Sequence, residues 1–242
     1  MAVLLLREGT DYKIPTNVDY SNKLLWWATD RCASRYCHKI FYDAGTMFTY
    51  NDSVGQFNHG YLCPDGAEDF TIVCSTRHPA ARLLSHYFLV FHDRQDYKTF
   101  TWSKGKFLEF SEFFEIHMEL NKWDDLSVGF ELASPISFYY DACKEKSNWF
   151  RNPNYLLRAE YLKEDFIEIQ KGLPHLSFNI DNIRSFSNSD KQKNIFSSKE
   201  RFNKKPLMEY YNEDMLRYMS ENKFWKMDYI LHNWNWKPES IY

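Results

Sequence analysis

The chain has 242 residues, enough to bury a full core, and its length fits one α/β domain. A formal net charge of −3 argues against general affinity for nucleic acid, which needs a basic face. The opening run MAVLLLREGT is too short in apolar residues for a signal peptide or membrane anchor, so a soluble, cytoplasmic protein with no membrane segment is expected, unless the chain is a piece trimmed from a membrane-anchored protein.

Residues 1–22 read as an N-terminal extension with room for one short strand. Leu24, Leu25, Trp26, Trp27 and Ala28 form an unbroken apolar run, the pattern of a strand buried on both faces. The loop Thr29-Asp30-Arg31-Cys32-Ala33-Ser34-Arg35 follows, and a helix is expected from Tyr36 onward. Small side chains let a loop backbone approach a phosphate closely, while Arg31 and Arg35 supply positive charge. Gly-x4-Gly-Lys-Ser/Thr is absent, so this is not a Walker A loop. A second strand is expected within Phe48–Pro64, ending near His59.

Phe70 to Phe88 reads FTIVCSTRHPAARLLSHYF. The β-branched residues Thr71, Ile72 and Val73 predict a third buried strand, after which the chain turns through Ser75-Thr76-Arg77-His78-Pro79 and becomes an amphipathic helix carrying Arg82, Leu83, Leu84, Ser85 and Tyr87. Arg77 stands at the strand's end and Ser85 lies eight residues on, in the helix. A strand-end guanidinium beside a helix N-terminus can hold a compact dianion, through a rigid donor fork and free backbone N–H groups. The plainer reading is an Arg used for capping or a surface ion pair. Two strand-loop-helix units of this kind in succession favour the anion.

Further along, residues 93–110 look like a polar loop, Phe110–Leu120 an amphipathic helix, and Pro135–Trp149 a mixed segment that could pack over an acceptor. A fourth strand is expected at 154–161, with helices at 164–171 and 206–224. Strands alternating with helices imply a central, mainly parallel sheet flanked by helices, with ligands at the strand C-terminal ends. Leu24–Thr29, Phe70–Ser75 and Tyr155–Ala159 would be its central strands. Cys32, Cys37, Cys63 and Cys74 lie in or near the two loops, but Cys-x4-Cys-His is no standard zinc spacing. Free buried thiols and no metal are expected.

The two units resemble the cofactor-binding elements of the sulfotransferases that use 3′-phosphoadenosine 5′-phosphosulfate (PAPS). That family's first loop has a Pro-Lys-Thr-(Gly/Ala)-(Ser/Thr)-Thr pattern, similar to Asp30-Arg31-Cys32-Ala33-Ser34-Arg35 here. Arg77 and Ser85 match the Arg and Ser that clamp the 3′-phosphate, within an Arg-x-Pro-x-x-Arg-Leu-x-Ser-x-Tyr text close to that of the carbohydrate sulfotransferases. The heparan and dermatan uronyl enzymes belong to that branch. Tyr155–Ile169 resembles the family's strand followed by Glu-x-Leu, and Tyr210-Tyr211 and Lys226-Met227-Asp228-Tyr229 resemble its C-terminal segment.

The resemblance implies one P-loop-NTPase-like sulfotransferase domain over 1–242, with 185–205 as a loop covering the cofactor. It implies transfer of the sulfuryl group of PAPS to an acceptor hydroxyl, on a saccharide, with the 3′,5′-bisphosphate PAP as product. Arg31 would stabilise the bridging oxygen, and the backbone of Cys32, Ala33, Ser34 and Arg35 would hold the 5′-phosphate. Arg77 and Ser85, with Lys204 and Lys205 from the covering loop, would bind the 3′-phosphate, and Trp26 is one candidate to stack on adenine. His59, in Asn58-His59-Gly60, is the candidate base, ahead of His38, His78 and a solvent-facing His86, with Glu68 and Asp65 as fallbacks.

Two departures bear on activity. Arg31 replaces the family's Lys, and Arg35 replaces a Thr that would donate a hydroxyl. They support the alternative of a catalytically degenerate protein that binds a nucleotide, anion or partner. A P-loop kinase is a weaker alternative, lacking its Gly-Lys-Ser/Thr.

Overall fold

The computed structural model describes residues 17–29, 31–50, 53–54, 66–93, 98, 103–120, 153–185, 209–222, 225–226 and 228. The chain divides into two compact units, one from Met1–His78 with Pro135–Phe186, the other from Pro79–Ser134 with Ser187–Tyr242.

The first unit is α/β. Its strands are β1 (Asn17–Asp19), β2 (Leu24–Trp27), β3 (Thr49–Tyr50), β4 (Ser53–Val54), β5 (Thr71–Thr76) and β6 (Tyr155–Arg158). They form one sheet in the order β4-β3-β1-β2-β5-β6. The expected central strands are present and adjacent. β2 pairs parallel with β5 (Trp26 opposite Val73), and β5 pairs parallel with β6 (Thr76 opposite Arg158).

An antiparallel edge extends this parallel centre. β1 returns antiparallel along β2, and the two-residue strands β3 and β4 extend that antiparallel edge. The β1–β2 hairpin has a local cause. Asp19 accepts hydrogen bonds from the Asn22 backbone N–H (3.0 Å) and side chain (2.7 Å), closing a tight turn. The same carboxylate takes the Met47 N–H at 2.8 Å, which ties the approach to β3 to the hairpin.

Helix α1 (Ser34–Asp43) follows β2, and α4 (Leu162–Gly172) follows β6; among the described residues, the helices between α1 and α4 in the chain belong to the second unit. Along α1 the buried residues Ser34, Cys37, Ile40 and Phe41 recur at helical spacing. Gly45, at φ +86, ends the helix in the left-handed conformation that only glycine adopts freely, and its N–H bonds the Tyr42 carbonyl at 3.0 Å. Trp26 lies at the centre of the core, 5.4 Å from the rings of both Phe41 and Phe48. Phe166, from α4, and Phe178 complete the cluster.

The second unit contains α2 (Pro79–Tyr87), which runs into a π-helical stretch over Phe88–Asp93, then α3 (Phe110–Leu120) and α5 (Glu213–Glu221). Proline at the first position of α2 lacks an N–H that would have had no intrahelical acceptor there. Asn212 caps α5 by accepting the Met215 N–H. The core is aromatic and includes Tyr87, Phe91, Phe110, Phe113, Phe114, Tyr211 and Trp225. Among the described residues, its two buried phenols are satisfied, Tyr87 by the Leu108 carbonyl at 2.9 Å and Tyr211 by the Ala80 carbonyl at 2.7 Å. No helix among the described residues is long and apolar enough to cross a membrane.

Candidate anion site

The carboxyl ends of the parallel strands β2, β5 and β6 each deliver a cation. β2 leads through Ala28 and Thr29 into the Arg31 loop, β5 ends beside Arg77, and β6 ends on Arg158. In parallel pairing all three ends lie on one edge of the sheet, the usual place for a ligand in an α/β fold.

The loop after β2 is bent by two non-glycine residues in the left-handed region, Arg31 (φ +63) and Ala33 (φ +58). Such conformations each cost on the order of 1 kcal/mol and persist where the surroundings hold them. Ser34 is one of the restraints, because its buried hydroxyl donates to the Thr29 carbonyl at 2.6 Å and pins the loop across its base. Ala33 occupies the N-cap position of α1 and provides no side-chain cap. Its carbonyl accepts the first helical bonds, from Tyr36 and Cys37, which leaves the preceding N–H groups outside the helical ladder. The first turn of α1 itself carries no acidic residue.

Arg77 closes the loop from β5. Its Nη1 donates to the Arg31 carbonyl at 3.4 Å, and its Nε lies 3.8 Å from Glu160 Oε1. Glu160 follows β6 and also accepts the His78 backbone N–H at 3.2 Å. Burial pushes the Glu160 carboxyl up to about 7, against the pull of Arg77. Burial, helped by Arg77, lowers His78 to about 3, so that its imidazole is neutral across the physiological range. Arg158 is engaged with Asp165 through both its backbone N–H (2.7 Å) and Nε (3.1 Å), with its guanidinium 4.9 Å from the Tyr161 ring centre. Three polar atoms at these strand ends, Thr76 Oγ1, Arg77 Nε and Glu160 Oε2, are buried without a hydrogen-bond partner among the described residues. Such groups cluster where a polar ligand or water completes them.

Of the residues expected from sequence, Arg31, Cys32, Ala33, Ser34 and Arg77 come together here, with Arg35 exposed on the first turn of α1. Ser85 is half-buried on α2 in the second unit. His59, Asp65, Lys204 and Lys205 lie outside the described residues, as do most of the covering loop at 185–205 and the segment Pro135–Trp149. Two expectations are corrected. Trp26 is fully buried and donates its indole N–H to Ser75 Oγ at 2.8 Å, so it is a core residue and cannot stack on a base. His86 is 5% exposed and faces a packed interior instead of solvent.

His38, stacked on Trp26, is held below its ordinary pKa by burial, and Glu68 is exposed. Cys32, Cys37 and Cys74 are buried free thiols, and burial pushes Cys37 up to about 12, far from a reactive thiolate. Sequence reasoning missed Glu160. Its Glu-x-Leu text was visible, but only the three-dimensional pairing with Arg77 gives it a role. Comparison of the chain with protein-family models, with curated proteins and with solved structures yields no match.

Proposed function

We propose that this protein is a PAPS-dependent sulfotransferase that transfers a sulfuryl group to an acceptor hydroxyl, on a saccharide. One observation carries the reading. Arg77 and the left-handed Arg31 loop meet at 3.4 Å beside the uncapped N-terminus of α1, at the carboxyl ends of adjacent parallel strands. The Arg77 guanidinium against a basic loop and a helix end suits a multiply charged phosphate compound, and the residue pattern around them resembles that of PAPS enzymes.

In this reading, the backbone of Cys32 to Arg35 holds the 5′-phosphate and Arg31 offsets charge on the bridging oxygen as the S–O bond breaks. Arg77 and Ser85, with Lys204 and Lys205, hold the 3′-phosphate, and His59 takes the acceptor's proton. The proton of Ser34 is given to Thr29, so this hydroxyl meets a phosphate only as a spectator while the neighbouring N–H groups act as donors. The same observation favours a second reading, a degenerate protein that binds the nucleotide without turnover.

Thermal unfolding with adenosine 3′,5′-bisphosphate, run beside ATP, ADP and AMP, tests the proposal. A ligand confined to the native state stabilises it by about 2.7 kcal/mol at a hundredfold excess over Kd. A shift selective for the bisphosphate is expected. A shift with ATP alone would move the assignment to a kinase, and no shift at all would remove the nucleotide site. Turnover separates the two readings that bind. His59→Ala is expected to lower it about a hundredfold with cofactor affinity unchanged, and an equally active variant would exclude His59 as the base.

A further inference from the structure

The Arg77 guanidinium serves two negative groups in the proposed site, the bound anion and the Glu160 carboxylate. Glu160 is only 11% exposed, its Oε1 is 3.8 Å from Arg77 Nε, and its Oε2 has no hydrogen-bond partner among the described residues. A buried carboxylate with one unfilled oxygen depends on its cation for stability as an anion. A dianion arriving at Arg77 brings like charge close to Glu160 and shares the cation that sustains it.

We propose that Glu160 is the proton-linked positioning residue of the anion site, taking up one proton when a dianion binds Arg77. The proton enters from solvent onto a Glu160 oxygen, the dianion occupies the guanidinium, and no other bond changes. The inference rests on the reading of Arg77 as an anion ligand, but on neither PAPS nor turnover.

The surroundings leave Glu160 as the group that titrates. From the end of β5 it faces the Arg77 guanidinium and His78, whose imidazole burial holds neutral down to about pH 3. From β6 it faces Arg158, and from α4 Asp165, which Arg158 engages through several hydrogen bonds. With the site empty the Glu160 carboxyl is raised to about 7, so below that pH the proton is already present and above it each binding event draws one from solvent. By reciprocity, whatever the anion does to proton affinity, the proton does to anion affinity.

Inorganic sulfate is the probe, because it stays a dianion throughout the range used. Isothermal titration of sulfate into the full chain between pH 5.5 and 8.5 should show affinity falling about tenfold from pH 7 to 8.5. Binding near pH 7 in two buffers of different ionisation enthalpy should show proton uptake, a measurement that needs no variant. Glu160→Gln should bind sulfate at least as tightly as the wild type at pH 8.5, with a flat profile and no uptake. Sulfate binding that is independent of pH, or lost in Glu160→Gln, would overturn the proton link while leaving the anion site in place. Linked sulfate binding without selectivity for the 3′,5′-bisphosphate would overturn the sulfotransferase reading alone. No sulfate binding at any pH would overturn both.

Discussion

Arg77→Ala is expected to weaken binding of adenosine 3′,5′-bisphosphate about a hundredfold or more, and that of AMP far less. Truncating one partner of a largely desolvated charge pair costs about 2–5 kcal/mol, because the other partner is left without compensation. Here two groups would lose their cation. The ligand's 3′-phosphate loses its donor fork, and Glu160, 3.8 Å away, loses the strongest influence lowering its pKa. A titration of both nucleotides against wild type and variant checks this, and equal losses for the two would remove the 3′-phosphate assignment.

A pH signature accompanies the substitution. In the native chain burial raises Glu160 from 4.5 to about 7, so between these values the folded state binds more protons than the unfolded one. Stability therefore falls as pH rises through that window. Without Arg77 the carboxyl rises further, and the fall extends to higher pH. Denaturation midpoints of the variant at pH 5 and pH 8 should differ by more than those of the wild type.

The second large effect is on the fold. Trp26→Ala is expected to cost about 3–5 kcal/mol, the range for removing a fully buried large aromatic. Trp26 is 0% exposed, contacts Phe41 and Phe48, stacks on His38 and donates to Ser75 Oγ, so truncation opens a cavity and removes a buried hydrogen bond. Tyr20→Ala, at a residue 58% exposed, is the control and should change stability by about 0.5 kcal/mol or less. Urea unfolding reads both. A loss below about 1 kcal/mol for Trp26→Ala would contradict its place in the core.

The central strands were legible because their residues have no other use. Leu24 to Trp27 and Thr71 to Cys74 are apolar or β-branched without interruption, and a strand buried on both faces is what such runs form. The helices at 34–43 and 110–120 were legible from their periodicity. The antiparallel edge was not. β1, β3 and β4 are two or three residues each, too short for alternation to register, and their pairing depends on Asp19 reaching both Asn22 and Met47.

At the site, Arg77 and the Arg31 loop could be picked out locally, since each lies between a strand and a helix. Glu160 could not, because its importance comes from a residue 83 positions earlier in the sequence that only strand pairing brings near. Trp26 and His86 were misread for a related reason. An aromatic or imidazole ring is equally at home in a pocket or a core, and neighbours decide which.

The placement of β2 between two kinds of partner also sets an order of assembly. The hairpin with β1 joins residues 9 apart, as in the Asn17 side-chain bond to the Trp26 carbonyl. On the other side of the sheet β6 must find β5 across 82 residues, where the Asn154 side chain accepts the Ile72 N–H at 2.8 Å. Closing the longer loop costs about 2 kcal/mol more in chain entropy. The hairpin can therefore nucleate early, whereas β6 docks late. Since β6 brings Arg158 and leads directly into Glu160, the charged network at the strand ends is expected to form after the β1–β2 hairpin.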